Sequence, residues 1–101
     1  MLDIESRDIE IVKSLLKKRL PGCEIRAYGS RVAGTAHSGS DLDIAIVGPT
    51  ALDPFVLSEL YSDFEESDLP FSVDLIDWNI APDSFREAIA RRYEVIDLEA
   101  F

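Results

Sequence analysis

Apolar and polar positions follow two different periods along this 101-residue chain. Between residues 3 and 20, apolar side chains recur every three or four positions, which predicts an amphipathic helix with a basic outer face. Its apolar positions are Ile4, Ile9, Ile11, Val12, Leu15, Leu16 and Leu20. Pro21 and Gly22 end the helix.

Shorter segments at residues 24–28, 41–47 and 71–77 have the alternation or the apolar runs that predict β-strands. Between the second and third strands, Asp53 is a favoured helix cap with Pro54 at the first helical position. We expect this helix to reach about Glu66. The side chains that it is expected to bury are Phe55, Val56, Leu60 and Phe64.

A final helix is predicted from Pro82 to Tyr93, with a core face made of Phe85, Ala88 and Ile89. Residues 94–98 fit either an edge strand or a tail, because so short a run has no decisive period.

The connections between the predicted elements indicate how the strands pair. The helix between the second and third strands favours a parallel pair, whereas the first two strands, joined by a loop, are expected to be antiparallel. The expected fold class is therefore α/β or α+β, with a small mixed sheet and flanking helices. We expect one domain over residues 1–101.

Acidic residues outnumber basic residues by 20 to 10, and the formal net charge is −10. A protein that binds long nucleic acid needs a basic surface, so this class of partner is disfavoured, while divalent cations and basic proteins remain compatible. No apolar run approaches the roughly 18 residues of a membrane span. The single cysteine, Cys23, allows no internal disulfide and indicates a reducing cytoplasm.

Aspartates interrupt two of the predicted strands. Asp41 and Asp43 share one strand face, about 7 Å apart at their Cα atoms, although a solvated acidic face also accounts for this pair alone. If the second and third strands are neighbours, Asp74 joins the pair, and a divalent cation then relieves the repulsion. Oxygen ligands suit Mg²⁺ or Mn²⁺. Asp77 is the alternative third acid, but its opposite parity fits a strand end or turn cap better.

A Gly-Ser pair precedes these acids. Gly29 and Gly34 permit close backbone approach, and Ser30 begins a short helical turn whose N–H groups and hydroxyl suit a phosphate. The pair alone is a weak signal, because Gly-Ser is common in turns. The chain lacks the residues of a P-loop, of a G-x-G-x-x-G motif and of an EF-hand.

Together, Gly29-Ser30, ten intervening residues, Asp41-x-Asp43 and a later strand aspartate resemble the nucleotidyltransferase superfamily that includes DNA polymerase β. At this length, with Asp74 inside Val-Asp-Leu-Ile-Asp, the chain is similar to the minimal nucleotidyltransferases (MNT proteins). These are the antitoxins of HEPN/MNT toxin–antitoxin pairs. The similarity covers residues 24 to about 93 and implies the polymerase β-like nucleotidyltransferase fold.

The resemblance implies a role for each matching position. The residues implied for nucleotide binding are Gly29, Ser30, Arg31 and Ser40. The residues implied for catalysis and for two Mg²⁺ ions, with Mn²⁺ as a substitute, are Asp41, Asp43 and Asp74. The implied reaction is in-line attack of a hydroxyl on the α-phosphorus of a nucleoside triphosphate, with release of pyrophosphate.

The chain also departs from the family pattern. Members often read Gly-Ser-Arg-x-Arg-Gly, whereas Ala33 stands here in place of the second arginine. His37 occupies a position where a basic residue is frequent, and it fits a plain loop residue as well as a phosphate contact. Ser40 fits equally a phosphate contact and the start of the strand.

The leading hypothesis is a protein adenylyltransferase that transfers AMP from ATP to a HEPN toxin, on a tyrosine as the resemblance implies. The alternative, motivated by the missing arginine, is a catalytically weak or inactive binding module that neutralises its toxin by contact alone. A small-molecule nucleotidyltransferase is disfavoured, because such enzymes usually carry an additional acceptor domain. No membrane partner is expected, and homo- and hetero-oligomers both remain open.

Overall fold

The computed structural model describes residues 2–99. Within that range the elements in chain order are α1 (Ser6–Arg19), β1 (Glu24–Tyr28), α2 (Ser30–Ala33), β2 (Leu42–Val47), α3 (Pro54–Glu65), β3 (Val73–Asp77), α4 (Asp83–Arg91) and β4 (Glu94–Ile96). Helix α3 begins as predicted, because the Asp53 side chain accepts a hydrogen bond from the Phe55 N–H and Pro54 takes the first position. A search of the described helices finds no candidate membrane span.

The strands form one mixed sheet in the order β3-β2-β1-β4. Strands β2 and β3 are parallel, with helix α3 in the connection between them, and β1 is antiparallel to both β2 and β4. These pairings confirm the topology that the connections predict. Residues 94–96 form an edge strand beside β1, which decides between the two alternatives left open for this segment.

One face of the sheet packs against α1 and α3. The buried side chains of this core include, from the helices, Val12, Leu16, Leu60 and Phe64. From the strands they include Ile25, Ala27, Leu42, Ile44, Ile46, Val73, Leu75 and Ile96. Because strand side chains alternate between faces, the intervening positions point away from this core.

Two predictions about buried aromatic residues are wrong. Phe55 is 69% exposed, because it lies five positions before Leu60 and therefore roughly 140° around the helix from the core face. Phe85 is 48% exposed and Ala88 is also exposed, so that Ile89 is the buried residue of α4. Phe85 and Ala88 instead line an open groove of about 290 Å³ between α4 and the turn at Gly29.

Helices α1 and α3 are joined by an ion pair at the edge of the core. Arg19 donates from Nε to Asp63 Oδ2 at 2.5 Å and from Nη2 to Glu59 Oε2 at 3.1 Å. The hydrogen bond from Arg19 holds the pKa of Asp63 below its ordinary value. The native state therefore favours the ionised carboxylate.

Asp77 braces the loop that follows β2. Its side chain is buried, 3% exposed, and accepts from the Leu52 N–H at 2.7 Å and from the Asn79 N–H at 3.0 Å. The Asn79 side chain in turn donates to the carbonyl oxygens of Gly48 and Thr50. Asp77 is thus a structural residue on the core side of the sheet.

We expect Asp77→Asn to lower the free energy of unfolding by roughly 1–3 kcal/mol, because the amide replaces one acceptor with a donor facing a buried N–H. Urea denaturation followed by circular dichroism measures the change. Asp68→Asn, at an exposed loop position, is the matched control and should leave stability unchanged. Equal stability of the two variants would contradict the bracing role.

The Arg19–Asp63 pair predicts a specific pH dependence. Because the pKa of Asp63 is lowered on folding, its contribution is complete above the ordinary value of 3.8 and is lost as the pH falls through the native pKa. Wild type should therefore exceed Asp63→Asn in stability at neutral pH by a margin that shrinks toward about pH 3. Urea midpoints across that range test this expectation, and a margin independent of pH contradicts it.

Candidate active site

Asp43 and Asp74 lie side by side on neighbouring parallel strands. The register of β2 and β3 pairs these two residues directly, so their Cα atoms are about 4.8 Å apart. Leu42 and Ile44 on one strand, and Val73 and Leu75 on the other, are buried in the core. The two carboxylates therefore project from the opposite face of the sheet.

Asp41 stands immediately before β2, at the end of the loop that leads from α2. The peptide groups on both sides of it are held: the Ser40 carbonyl accepts from Arg31, and the Leu42 N–H donates to the Ser72 carbonyl at 2.9 Å. The Asp41 side chain is exposed to solvent. It belongs to the same neighbourhood as Asp43, since its charge acts on the ionisation of that residue.

The electrostatics of this group favour a bound cation. Partial burial raises the pKa of Asp43 above its ordinary value, and the negative charges of Asp74 and Asp41 raise it further. A positive charge between the carboxylates reverses this effect, because it stabilises their ionised forms. Asp74, on the edge strand β3, is exposed and accessible to a second molecule.

The oxygen-only donor set is of the type that Mg²⁺ and Mn²⁺ prefer. Within residues 2–99, no group of three or more aspartate, glutamate, histidine or cysteine side chains is arranged to hold an ion as the side chains stand. The paired Asp43 and Asp74, with Asp41 in the loop just before β2, nevertheless have the donor atoms and the placement that a divalent cation requires.

Gly29 brings the backbone of the turn against Asp43. Its φ of 78° and ψ of −155° lie in a region that is essentially restricted to glycine. A Cβ at this position would lie 3.2 Å from Asp43 Cγ and would collide with Oδ2. Only glycine allows the acid to pack so closely against the start of α2, where Ser30 is the first residue.

Two tyrosines that the sequence analysis did not single out flank the acids. Tyr28 pairs with Asp43 across β1 and β2, and burial, followed by the charges of Asp43 and Asp74, raises its pKa to about 12. The Tyr61 hydroxyl accepts from the Leu75 N–H at 3.0 Å and lies 3.4 Å from Asp74 Oδ1. Tyr28 is detectable beforehand by its place next to Gly29, whereas nothing in the sequence connects Tyr61 with Asp74.

Arg31, in helix α2, and Ser40 both make hydrogen bonds within the loop that leads to β2. The Arg31 side chain is buried and donates to backbone carbonyls, and Ser40 Oγ accepts from the His37 N–H at 3.0 Å. His37 Nδ1 accepts from the Gly39 N–H at 3.2 Å, so His37 also contributes to the loop. Asp77, the alternative third acid, faces the core and is engaged with two backbone N–H groups.

An open cleft begins at Asp41 and runs along the end of α3. Its volume is about 640 Å³, within the range of small-molecule sites. Tyr61, Phe64 and Phe71 form its aromatic walls, and Gly39 and Ser72 contribute polar backbone at its rim. Of the three acids, Asp41 lines this cleft, so the cleft adjoins the site on the Asp41 side.

Known proteins are similar to this chain in sequence and in architecture. Residues 9–97 match the family model described as polymerase beta, nucleotidyltransferase. The probable protein adenylyltransferase MntA of Haemophilus influenzae is 45% identical over 95 residues, which cover 94% of this chain and 83% of that protein.

Two solved toxin–antitoxin complexes contain a chain of similar structure. In the complex crystallised with AMP-PNP, the TM-score is 0.74 at 28% identity, over 87% of this chain and 71% of that one. In a mutant MntA–HpeT complex, the TM-score is 0.72 at 28% identity, over 87% and 70%. Because the family model matches residues 9–97 and the fold is shared with these complexes, the chain belongs to the polymerase β nucleotidyltransferase family.

Proposed function

We propose that this protein is a Mg²⁺-dependent protein adenylyltransferase that transfers AMP from ATP to a hydroxyl group of a HEPN toxin and thereby acts as its antitoxin. The observation that carries the proposal is the in-register pair of Asp43 and Asp74 beside the Gly29-Ser30 turn. The similarity to MntA, a probable protein adenylyltransferase, supports the reaction. The similarity to toxin–antitoxin complexes, one of them with AMP-PNP, supports the nucleotide and the kind of partner.

The nucleotide-binding residues in this proposal lie along the turn. Gly29, which has no side chain to block the approach of a ligand, and Ser30 at the start of α2 hold the terminal phosphates. The contacts are backbone N–H groups and the Ser30 hydroxyl. Asp41, Asp43 and Asp74 would hold Mg²⁺. When bound, Mg²⁺ would supply positive charge that offsets the negative charge of the triphosphate and of the reacting oxygens.

Asp74 is placed to receive the acceptor. It lies on the edge strand with an exposed side chain, so a hydroxyl on another protein reaches it without opening the fold. In this proposal Asp74 orients that hydroxyl and helps to remove its proton. The oxygen then bonds to the α-phosphorus of ATP while the bond to the departing pyrophosphate breaks.

Asp74 and Asp77 lie on the same strand but have different surroundings. Asp77 points into the core and holds the loop after β2, whereas Asp74 points to the opposite face beside Asp43. We therefore assign the third acid to Asp74. Cytoplasmic location, expected from the single Cys23, stays a prediction.

The proposal is tested by incubating the protein with α-labelled ATP, Mg²⁺ and its cognate HEPN toxin. We expect label on the toxin, and a loss of roughly 100-fold or more in Asp43→Asn and Asp74→Asn, because losing a direct ligand costs no less than losing a supporting residue. Asp68→Asn, at an exposed loop position outside the three proposed acids, should transfer label at the wild-type rate.

The same variants distinguish catalysis from neutralisation by contact. If no label is transferred, or if Asp43→Asn protects cells from the toxin as well as wild type does, the binding-module alternative replaces the enzyme. If label appears on a small molecule and never on a protein, the acceptor in the proposal is wrong.

Gly29→Ala should abolish transfer and lower stability by about 1–3 kcal/mol, because the backbone is strained for any other residue and the added Cβ displaces the Asp43 carboxylate. Gly22→Ala is the matched control, since Gly22 also has a positive φ but a Cβ there meets nothing within 4 Å. It should lose stability but retain transfer. Equal activity of the two variants would show that Gly29 does not position the acid.

A further inference from the structure

We propose that Arg31 is a positioning residue that fixes the loop carrying Asp41, and that it does not bind the triphosphate. This inference rests on the proposed function for its kinetic consequences, but its structural part concerns the protein alone. It assigns to Arg31 a role different from the one that the family resemblance implies.

The first argument is how the guanidinium is used. Arg31 is 6% exposed and donates from Nε and Nη2 to the Ser40 carbonyl at 3.0 and 2.8 Å. Nη2 also lies 3.3 Å from the Ser38 carbonyl, and Nη1 donates to the Asp3 carbonyl at 2.9 Å. These contacts engage most of the five N–H donors of an arginine side chain with backbone oxygens.

The second argument is where the guanidinium stands. It lies over the ring of Phe71, with Cζ 4.2 Å from the ring centroid, and Phe71 comes two residues before β3. One face of the cation is therefore covered by an aromatic ring from the segment just before the strand that carries Asp74. In the same segment, the Ser72 carbonyl accepts from the Leu42 N–H.

These contacts place Asp41 between two fixed peptide groups. Arg31 holds the Ser40 carbonyl on one side, and Ser72 holds the Leu42 N–H on the other. The backbone of Asp41 is thus tied both to α2 and to the start of β3. Loss of the Arg31 contacts releases the first tie, and the carboxylate of Asp41 is then free to move relative to Asp43 and Asp74.

Lysine cannot reproduce this arrangement. The planar guanidinium reaches two loop carbonyls and the Asp3 carbonyl at once while it stacks on Phe71, whereas an ammonium group is a compact point charge on a flexible stem. Arg31→Lys therefore keeps the positive charge but loses the set of hydrogen bonds and the ring contact. A defect in this variant then reports on positioning of the loop rather than on electrostatic attraction of a phosphate.

The first experiment measures amide hydrogen exchange in the free protein. In Arg31→Lys we expect amide exchange at residues 38–42 to be about tenfold faster than in wild type, while the exchange rates in the core of β1 and β2 stay unchanged. Phe71→Leu, which removes only the stack, should shift the same amides by a smaller factor. Arg7→Lys, at an exposed position of α1, is the matched control and should match wild type.

The second experiment measures label transfer as a function of Mg²⁺ and ATP. We expect Arg31→Lys to raise the Mg²⁺ concentration for half-maximal activity by about 10- to 100-fold, the range for residues that support metal ligands. At saturating Mg²⁺, the KM for ATP should stay within about twofold of wild type.

The outcomes separate the two roles. A raised KM for ATP at saturating Mg²⁺, with unchanged exchange at residues 38–42, would show that Arg31 holds the triphosphate and would overturn the inference. Wild-type behaviour of Arg31→Lys in both experiments would overturn it as well. If wild type transfers no label, the proposed function fails, while the exchange experiment still decides whether Arg31 anchors the loop.

Discussion

Negative charge is crowded at the N-terminal ends of the parallel strands β2 and β3, and the rest of this small domain has to accommodate it. Asp43 and Asp74 are adjacent in the β2–β3 ladder, with Asp41 close enough to act on Asp43. Such a group is unfavourable by itself, because like charges repel and burial penalises the charged form. The acids cannot hold one another in place. The surrounding structure has to do so.

The supports of the acids come from several elements and are mostly backbone contacts. Gly29 approaches Asp43 so closely that no side chain fits between them. Arg31 and Ser72 hold the peptide groups around Asp41, and Tyr61 contacts the backbone of β3 beside Asp74. The backbone around the acids is therefore held by contacts within the fold, which would lower the conformational cost of binding a cation there.

The β3 strand shows how one short segment combines two tasks. Its even and odd positions face opposite sides of the sheet, so Asp74 reaches the active-site face while Asp77 reaches the core. Asp77 is tolerated inside because two backbone N–H groups satisfy its oxygens. Asp74 is tolerated on the other face because its side chain is exposed to solvent. The same residue type thus serves structure and chemistry three positions apart.

Sequence alone determined the features that depend on local period, on turn chemistry and on parity. Helices α1, α3 and α4 and strands β1 to β3 follow from patterns within the chain, because side-chain direction alternates with a fixed period. The helical connection favours a parallel β2–β3 pair, and once these strands are neighbours, parity places Asp43 and Asp74 on one face. Tertiary structure alone decided the exposure of Phe55 and Phe85, the contact of Tyr61 with Asp74 and the use of Arg31. These contacts and exposures depend on which distant segments meet. From the sequence, an arginine beside Gly-Ser is interpreted as a phosphate ligand, because the carbonyl groups and the aromatic ring around it are not evident. The partners of a side chain are set by tertiary packing, because residues that are far apart in sequence compete for the same hydrogen-bond donor or the same buried position.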